Sequence, residues 1–349
     1  MRLRCDWDKA AGEADKTRGA PDVELEKHLK DTGQTSLPQA ELLQGCFNLL
    51  RDKGLMEEAY LRGSLGRGHA DTHSDIDLFT VVKPEKIDEV YKTVCEYLES
   101  KGRIITNCHD RLVQNYGGIG FMFVAQSKEH ADKVYQFDLY LAMQGVPPCN
   151  PTSIKPRIFA KDPDAERWIN QNGQKACELP QNAKDFITAH TSGSTKSERM
   201  ELLMQELLIN LYVTHKHIKR GQMSRTVVDN HGVVTSAIEF LQLLTDYRPT
   251  GYSPVYLGDE IVRFAQKNGD KEMQKAAGML HKLFAQPMSD QKLADTLAFG
   301  KFVLQKSFPE RYESQREAIE FFEQNVLKKD AESFVQRKPP GIAHSRKHG

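Results

Sequence analysis

The chain lacks an excess of charge of either sign. Its 349 residues include 48 Lys and Arg and 48 Asp and Glu, so the formal net charge is zero. Proteins that bind long nucleic acids usually carry a basic excess that neutralises phosphates, and we therefore expect no long nucleic-acid partner. The remaining composition, with 39% hydrophobic and 28% charged residues, is that of a globular protein. The length favours two domains.

Cysteine is scarce, and long apolar runs are missing. The sequence has six cysteines, and no two of them form a Cys-x-x-Cys pair. This spacing argues against a structural zinc site and against a disulfide scaffold, and it favours a reducing compartment. No stretch approaches the roughly 18 consecutive apolar residues of a membrane-spanning helix, and the N-terminus has no apolar signal segment. We therefore expect a cytoplasmic protein without a membrane partner.

Hydrophobic periodicity in the first 150 residues predicts an α+β domain. Residues 1–36 are polar and weakly periodic, which predicts a loose N-terminal arm with a short helix near residues 23–29. A helix is predicted over 38–53, with a first-turn proline and a closing glycine, and a second over 87–100. Strand patterns occur at 59–62, 76–82, 103–107, 119–125 and 135–142. This alternation predicts a mixed sheet backed by helices over residues 37–150.

The pattern changes after residue 150. Residues 146–163 contain five of the fifteen prolines, which predicts a linker over 151–180. From 181 to 330 the apolar spacing is helical, with helices predicted at 198–220, 226–247, 256–267, 271–284, 289–306 and 309–328. We expect an α-helical bundle there. Residues 331–349 are basic and rich in Pro and Gly, and they are predicted to be a disordered tail.

Two aspartates, Asp75 and Asp77, lead into the predicted strand at 76–82. Side chains alternate along a strand, so both carboxylates point the same way, while Ile76 and Leu78 point towards the core. Neighbouring carboxylates repel each other, and the pKa of one rises unless a cation lies between them. Magnesium is the natural cation, because it is usually held by one or two carboxylates together with substrate phosphates. On its own, such a pair would more often only cap the turn before the strand.

Other residues around this pair favour phosphate chemistry. Small residues after a strand, here Gly63 and Ser64, let backbone N–H groups approach a phosphate chain, and the serine hydroxyl adds a donor. Arg67 could reach the phosphates or fix the turn against a carboxylate, and the sequence leaves both open. Asp138 lies in a predicted strand, on the face opposite Phe137. If that strand neighbours the strand at 76–82, three carboxylates meet beside a phosphate-binding turn, which is the geometry of two-metal nucleotidyl transfer.

These residues, in this order, resemble the signature of the DNA polymerase β-like nucleotidyltransferase superfamily over residues 38–145. The similarity is greatest to the small bacterial members, among them the aminoglycoside and lincosamide nucleotidyltransferases, which often carry Ala where this chain has Gly66. The resemblance implies that Gly63 and Ser64 bind the β- and γ-phosphates. It also implies that Asp75 and Asp77 bind two Mg²⁺ ions and that Asp138 binds the catalytic one.

The resemblance further implies a magnesium-dependent adenylyltransferase. Such an enzyme moves a nucleoside monophosphate, here AMP from ATP as co-substrate, to a hydroxyl and releases pyrophosphate. The implied acceptor is a small molecule such as an aminoglycoside or lincosamide-type antibiotic, bound by the helical domain, and the implied role is antibiotic resistance. A protein adenylyltransferase acting on Tyr, Ser or Thr is the alternative enzyme. A non-catalytic antitoxin-like interaction protein is the alternative of another class, and it is disfavoured because all three carboxylates are present.

Overall fold

The computed structural model describes residues 23–110, 118–129, 133–146, 156–162, 167–168, 171, 178–191, 193, 195–247 and 258–327. The predicted tail and the first 22 residues of the predicted arm lie outside the described residues. The helices are α1 (Leu25–Asp31), α2 (Pro38–Asp52), α3 (Gly63–Gly66), α4 (Ile87–Lys101), α5 (Gln181–Thr191), α6 (Lys196–Lys219), α7 (Met223–Thr245), α8 (Gly258–Asn268), α9 (Lys271–Ala285), α10 (Asp290–Ser307) and α11 (Pro309–Phe321). The strands are β1 (Glu58–Leu61), β2 (Ile76–Val82), β3 (Gly102–Asp110), β4 (Gly118–Ser127), β5 (Val134–Met143) and β6 (Arg157–Ala160).

The strands form one mixed six-stranded sheet in the order β3-β4-β5-β2-β1-β6. Strands β2 and β5 are parallel, while β1 is antiparallel to both β2 and β6. Along the chain, β2 and β5 are connected by a helix, α4, and by two further strands, β3 and β4. A long connection of this kind is expected between parallel neighbours. The predicted α+β class, a mixed sheet followed by a helical region, is confirmed.

Strand β6 was not predicted, because it lies inside the predicted linker at 151–180. It has only four residues and pairs with β1 across an irregular register. Pro156 directly precedes it, at a position where a strand of a sheet edge tolerates proline. The side chain of Arg157 is 1% exposed and forms an ion pair with Glu58, with 3.5 Å between Nη1 and Oε2. The linker prediction was therefore wrong for residues 157–160, which form a strand. A charged residue such as Arg157 does not indicate a buried position, so the sequence pattern did not predict this strand.

The described part of the predicted loose arm, residues 23–36, is folded. It contains α1, close to the short helix that the sequence predicts, and Leu25 and Leu29 of this helix are buried. Two apolar residues at i and i+4 give a helix one buried face. This face needs only two apolar residues among the fourteen described residues of the arm. The arm is therefore polar on average, and its composition does not indicate that it is folded.

The described chain forms two compact units. The first combines the described residues up to Lys101 with Asp110–Phe121 and Tyr135–Ile187. Its sheet carries an aromatic cluster of Tyr60, Phe79, Tyr140 and Trp168, in which the Phe79 and Trp168 ring centroids are 5.2 Å apart. Trp168 is also fixed by hydrogen bonds from its backbone N–H to Glu58 Oε1 and from Nε1 to the Val146 carbonyl. In β1, β2 and β5, the aromatic residues of this cluster lie on one face of the sheet, and the aliphatic residues next to them in the sequence lie on the other face.

The second unit combines Gly102–His109, Met122–Val134 and the described residues from Thr188 on. Its apolar core comes mainly from helices α6 to α11, with Leu207, Leu208 and Phe299 fully buried. The predicted helices of this region are all present, and each predicted end agrees to within a few residues, since a π-helical segment at Phe322–Leu327 continues α11. Within the described ranges, no helix has both the length and the apolar character needed to cross a membrane.

Helix α6 begins with a capping box at Thr195. The Thr195 hydroxyl accepts a hydrogen bond from the Glu198 N–H at 3.1 Å, and the Glu198 carboxylate accepts one from the Thr195 N–H. We expect Thr195→Ala to lower the free energy of unfolding of the second unit by about 1 kcal/mol, because an orphan N–H of the first turn loses its acceptor. Denaturant unfolding followed by circular dichroism measures this. Thr195→Ser is the control and should lose much less; an equal loss in both variants would mean that the methyl group, not the cap, stabilises the helix.

Candidate active site

Asp77 and Asp138 lie side by side on neighbouring strands. The parallel register of β2 and β5 pairs Asp77 with Asp138. Residues paired across neighbouring strands present their side chains on the same face of the sheet. Asp138 is 4% exposed, and Asp77 is half-buried. Two of the three carboxylates predicted from the sequence are therefore brought together.

Asp138 is a buried carboxylate with polar partners. The Gln136 side-chain amide donates to both of its oxygens, at 3.0 and 2.9 Å. The Tyr140 hydroxyl lies 3.4 Å from Asp138 Oδ2 and 3.5 Å from Asp77 Oδ1. A buried carboxylate needs such donors to stay ionised.

Tyr140 connects the carboxylate pair to the aromatic cluster. Burial raises the pKa of the Tyr140 phenol well above its usual value, and the charges of Asp138 and Asp77 raise it further. The phenol therefore stays neutral and can donate to a carboxylate. Its ring stacks on Phe79, with 6.2 Å between the ring centroids, so the hydroxyl is held by a rigid part of the sheet.

Gly63 is pressed against the carboxylate of Asp77. It is the second residue after β1, with a φ of +59°, and a Cβ placed on it would lie 1.9 Å from Asp77 Oδ2. A positive φ favours glycine, and a Cβ at this position would have to displace the Asp77 carboxylate. The neighbouring Arg62 N–H donates to the Asp77 carbonyl at 3.2 Å. Backbone at the start of α3 therefore lies directly beside the carboxylate pair.

The other predicted site residues flank this turn. Ser64 is half-buried in α3, and its carbonyl accepts from the His69 N–H at 3.0 Å. Arg67 is exposed and follows the last residue of α3. Asp75 is half-buried and directly precedes β2. All three lie on the segment between β1 and β2, as the sequence predicts, while their roles stay predictions.

Arg62 is a residue of the site that the sequence analysis missed. Its guanidinium carbon lies 4.5 Å from the centroid of the Tyr140 ring, which is a cation–π contact. The charge is thereby fixed on the ring whose hydroxyl approaches Asp77 and Asp138. The signal in the sequence was an arginine at the end of a strand, directly before Gly63. Its significance depends on Tyr140, which is 78 positions later in the sequence.

The site residues fit a hard cation by the chemistry of their donors. Asp75, Asp77 and Asp138 offer only carboxylate oxygens, the ligands that Mg²⁺ prefers. Across the described ranges, however, no group of three or more His, Cys, Asp or Glu residues is close enough to hold a metal ion. The structure thus pairs Asp77 with Asp138 without completing the predicted three-carboxylate group, and the assignment of two ions stays a prediction.

Substitution of Gly63 tests how tightly the turn approaches Asp77. We expect Gly63→Ala to lower the free energy of unfolding by more than the roughly 1–2 kcal/mol that a left-handed conformation costs an L-residue, because its Cβ would also displace the Asp77 carboxylate. Gly54→Ala is the matched control, since Gly54 has a φ of +65° and open space around it. Denaturant unfolding of both variants measures the difference. Equal losses would show that the turn can move away from Asp77.

The comparisons with known proteins bear on this site. A comparison with curated proteins gives no match. Residues 44–119 match one family model, which is described as "Nucleotidyltransferase domain". The matched range contains Gly63, Ser64, Asp75 and Asp77 and ends before Asp138, and it carries no information on an aminoglycoside or lincosamide subfamily. The chain thus carries, at residues 44–119, a nucleotidyltransferase domain of the DNA polymerase β-like kind.

Proposed function

We propose that the protein transfers a nucleoside monophosphate from a nucleoside triphosphate to a hydroxyl group and releases pyrophosphate. The observation that carries this proposal is the pairing of Asp77 with Asp138, with the backbone of Gly63 packed against Asp77. The domain match at residues 44–119 supports the same reaction class. In the reaction, the acceptor oxygen bonds to the α-phosphorus while the bond to the β-phosphate oxygen breaks. The hydroxyl proton passes to a carboxylate or to water.

The proposed roles follow the geometry of the first unit. Backbone N–H groups at Gly63 and the Ser64 hydroxyl bind the β- and γ-phosphates, because the start of α3 lies beside the carboxylate pair. Asp75, Asp77 and Asp138 would hold two Mg²⁺ ions, which when bound neutralise the charge of the triphosphate. Gln136 and Tyr140 keep the Asp138 carboxylate in place through their hydrogen bonds.

Two arginines add positive charge for the triphosphate in this proposal. Arg62 is held on the Tyr140 ring, so its charge is fixed near the carboxylates before any ligand binds. Arg67 is exposed and belongs to the same segment, so it would contribute a more mobile charge. A fixed charge contributes more to binding, because no side-chain entropy is lost when the ligand arrives.

The proposed reaction has two substrates, a nucleotide donor and a hydroxyl acceptor. We propose ATP as the donor and a small-molecule hydroxyl, such as that of an aminoglycoside or lincosamide-type antibiotic, as the acceptor. This is supported by the resemblance of the motif residues to the antibiotic-modifying members and by the helical region that follows the sheet. The net charge of zero argues against a long nucleic-acid acceptor. A tyrosine, serine or threonine hydroxyl of a protein is the acceptor that the same chemistry would also serve.

Labelled nucleotides test both levels of the proposal. The full chain is incubated with Mg²⁺ and each of the four nucleoside triphosphates, labelled at either the α- or the γ-phosphate, together with a panel of antibiotics or with cell-lysate protein. Transfer of α-label, but not of γ-label, to an acceptor supports nucleotidyl transfer. The labelled fraction identifies the acceptor as a small molecule or a protein. Binding of none of the nucleotides and labelling of neither fraction would overturn the proposal.

Removal of a single carboxylate charge should abolish transfer. We expect Asp77→Asn and Asp138→Asn each to lower the transfer rate by at least about 100-fold, because the charge of the triphosphate is then less well neutralised. The double variant should be little worse than either single one, since the two residues act as a unit. The rates are measured per folded molecule, with the exposed Asp88→Asn as control. Wild-type turnover in Asp77→Asn would contradict the assigned site.

The two arginines should differ in their effect on nucleotide binding. We expect Arg62→Met to raise the KM for the nucleotide by about tenfold, the loss of one charge-assisted contact of roughly 1.4 kcal/mol. Arg67→Met should raise it by less than about threefold, because an exposed charge is screened by solvent. Steady-state kinetics at low and high salt separate the two residues. A larger effect at Arg67 would show that the phosphates lie beyond the turn and not over the Tyr140 ring.

A further inference from the structure

The segment between β1 and β2, residues 62–75, is in contact with polar side chains from α1, from α2 and from the residues that connect these two helices. This segment, called here the β1–β2 segment, contains α3 and leads directly to Asp75. The side chains in question are His28, Gln34 and Gln39, called here the polar cluster. Gln34 is 3% exposed, and Gln39 is 1% exposed. Such burial of amides is tolerated only when their polar atoms are hydrogen-bonded.

Two members of the polar cluster meet at one carbonyl of α3. His28 Nε2 lies 2.9 Å from the Leu65 carbonyl oxygen, and Gln34 Nε2 lies 3.2 Å from the same atom. A carbonyl oxygen can only accept, so His28 carries its proton on Nε2. Leu65 is fully buried and directly follows Ser64. These contacts therefore fix the backbone next to the proposed phosphate contacts.

The same glutamine also holds the far side of the turn. Gln34 Oε1 accepts a hydrogen bond from the Ala70 N–H at 3.1 Å, while its Nε2 donates to Leu65. One amide group thus connects the two sides of a turn that contains Gly68, which has a φ of +73°. A Cβ at Gly68 would lie 2.8 Å from the Thr32 methyl group, so α1 also packs closely against this turn.

Gln39 of α2 fixes the last part of the β1–β2 segment. Its Nε2 donates to the carbonyls of Asp71 and Ser74, at 3.2 and 3.1 Å. Ser74 directly precedes Asp75, the first of the paired aspartates in the sequence. The Gln39 Oε1 is buried and accepts no hydrogen bond from the described residues. An unpaired buried oxygen costs free energy. The orientation of this amide is therefore determined by the hydrogen bonds that its Nε2 donates to the two carbonyls.

We infer that the polar cluster positions the nucleotide-binding segment, so that residues 28–39, from α1 to the start of α2, belong functionally to the active site. His28, Gln34 and Gln39 are positioning residues: they act on the backbone around Ser64 and Asp75 and do not touch the reacting atoms. All three precede residue 44, where the domain match begins, so this device is a property of this chain outside the matched range. The nucleotide part of the inference rests on the proposed function.

The physical reason is the entropy of ordering a loop. Segments without regular structure open locally at low free-energy cost, and a ligand that binds them must order them. Five hydrogen bonds from His28, Gln34 and Gln39 supply that order before the ligand arrives. Loss of the polar cluster should therefore weaken nucleotide binding more than it slows the chemical step.

The test combines hydrogen exchange with nucleotide binding on the full chain. In Gln34→Ala, we expect the Ala70 amide to exchange about fivefold faster, since the loss of one hydrogen bond is worth about 1 kcal/mol. The KM for the nucleotide should rise by about five- to tenfold, with kcat within about twofold. Gln315→Ala is the matched control, because Gln315 is a buried glutamine of the second unit whose amide donates to Glu201.

Two further variants separate positioning from general destabilisation. Gln34→Glu keeps an acceptor for the Ala70 N–H and removes the donor to Leu65, so it should protect Ala70 and still free the Leu65 side of the turn. His28 and Gln34 both contact the Leu65 carbonyl oxygen. A double-mutant cycle with His28→Ala and Gln34→Ala should therefore show non-additive losses of nucleotide affinity. Should Gln34→Ala fail to fold, His28→Ala, at a half-buried position, carries the same measurements.

The outcomes distinguish this inference from the proposed function. Unchanged exchange at Ala70 in Gln34→Ala overturns the inference, whatever the activity. A loss of nucleotide affinity that only follows the folded fraction, as in Gln315→Ala, also overturns it. Faster exchange in the variants of a protein that binds no nucleotide would overturn the proposed function and would still support the positioning of the segment by the polar cluster.

Discussion

The parallel pairing of β2 with β5 is the constraint on which the candidate site depends. These strands are separated in the sequence by α4, β3 and β4, yet their register pairs Asp77 with Asp138. A shift by one residue would turn one of the two carboxylates to the opposite face of the sheet. The register is stabilised by the apolar residues on both strands, because Leu78 and Leu139 are fully buried. The hydrophobic core thus determines the geometry of the charged site.

Much of this arrangement could be predicted from the sequence. Period-two alternation identified β2 and β5, and the phase of the alternation placed Asp138 opposite the apolar residues of its strand. The glycine and serine after β1 indicated a turn that backbone could bring close to a ligand. These inferences depend on local spacing, and the local spacing was sufficient. The position of Gly63 against Asp77 shows that the turn and the strand are in fact adjacent.

The remaining features depend on partners that are distant in the sequence. Arg157 suggests an exposed linker until Glu58 is known to lie beside it. Arg62 has no visible role without the Tyr140 ring. Gln34 and Gln39 give no periodic signal, because each is buried by contacts with backbone atoms some thirty positions later. Polar residues that are buried by tertiary hydrogen bonds are the ones that composition and periodicity assign to the surface.

The β1–β2 segment is consequently held from two sides by opposite means. On the side of the sheet, Gly63 leaves no space between its backbone and the Asp77 carboxylate, so the segment cannot move closer. On the opposite side, the amides of Gln34 and Gln39 donate hydrogen bonds to its carbonyls, so it cannot move away without leaving buried polar groups unpaired. Steric exclusion is steep and hydrogen bonding is directional, and together they define one position of the backbone. Under the proposed function, a segment fixed in this way would bind a phosphate chain without first being ordered, and this is the advantage that the folded residues 28–39 would give to the site.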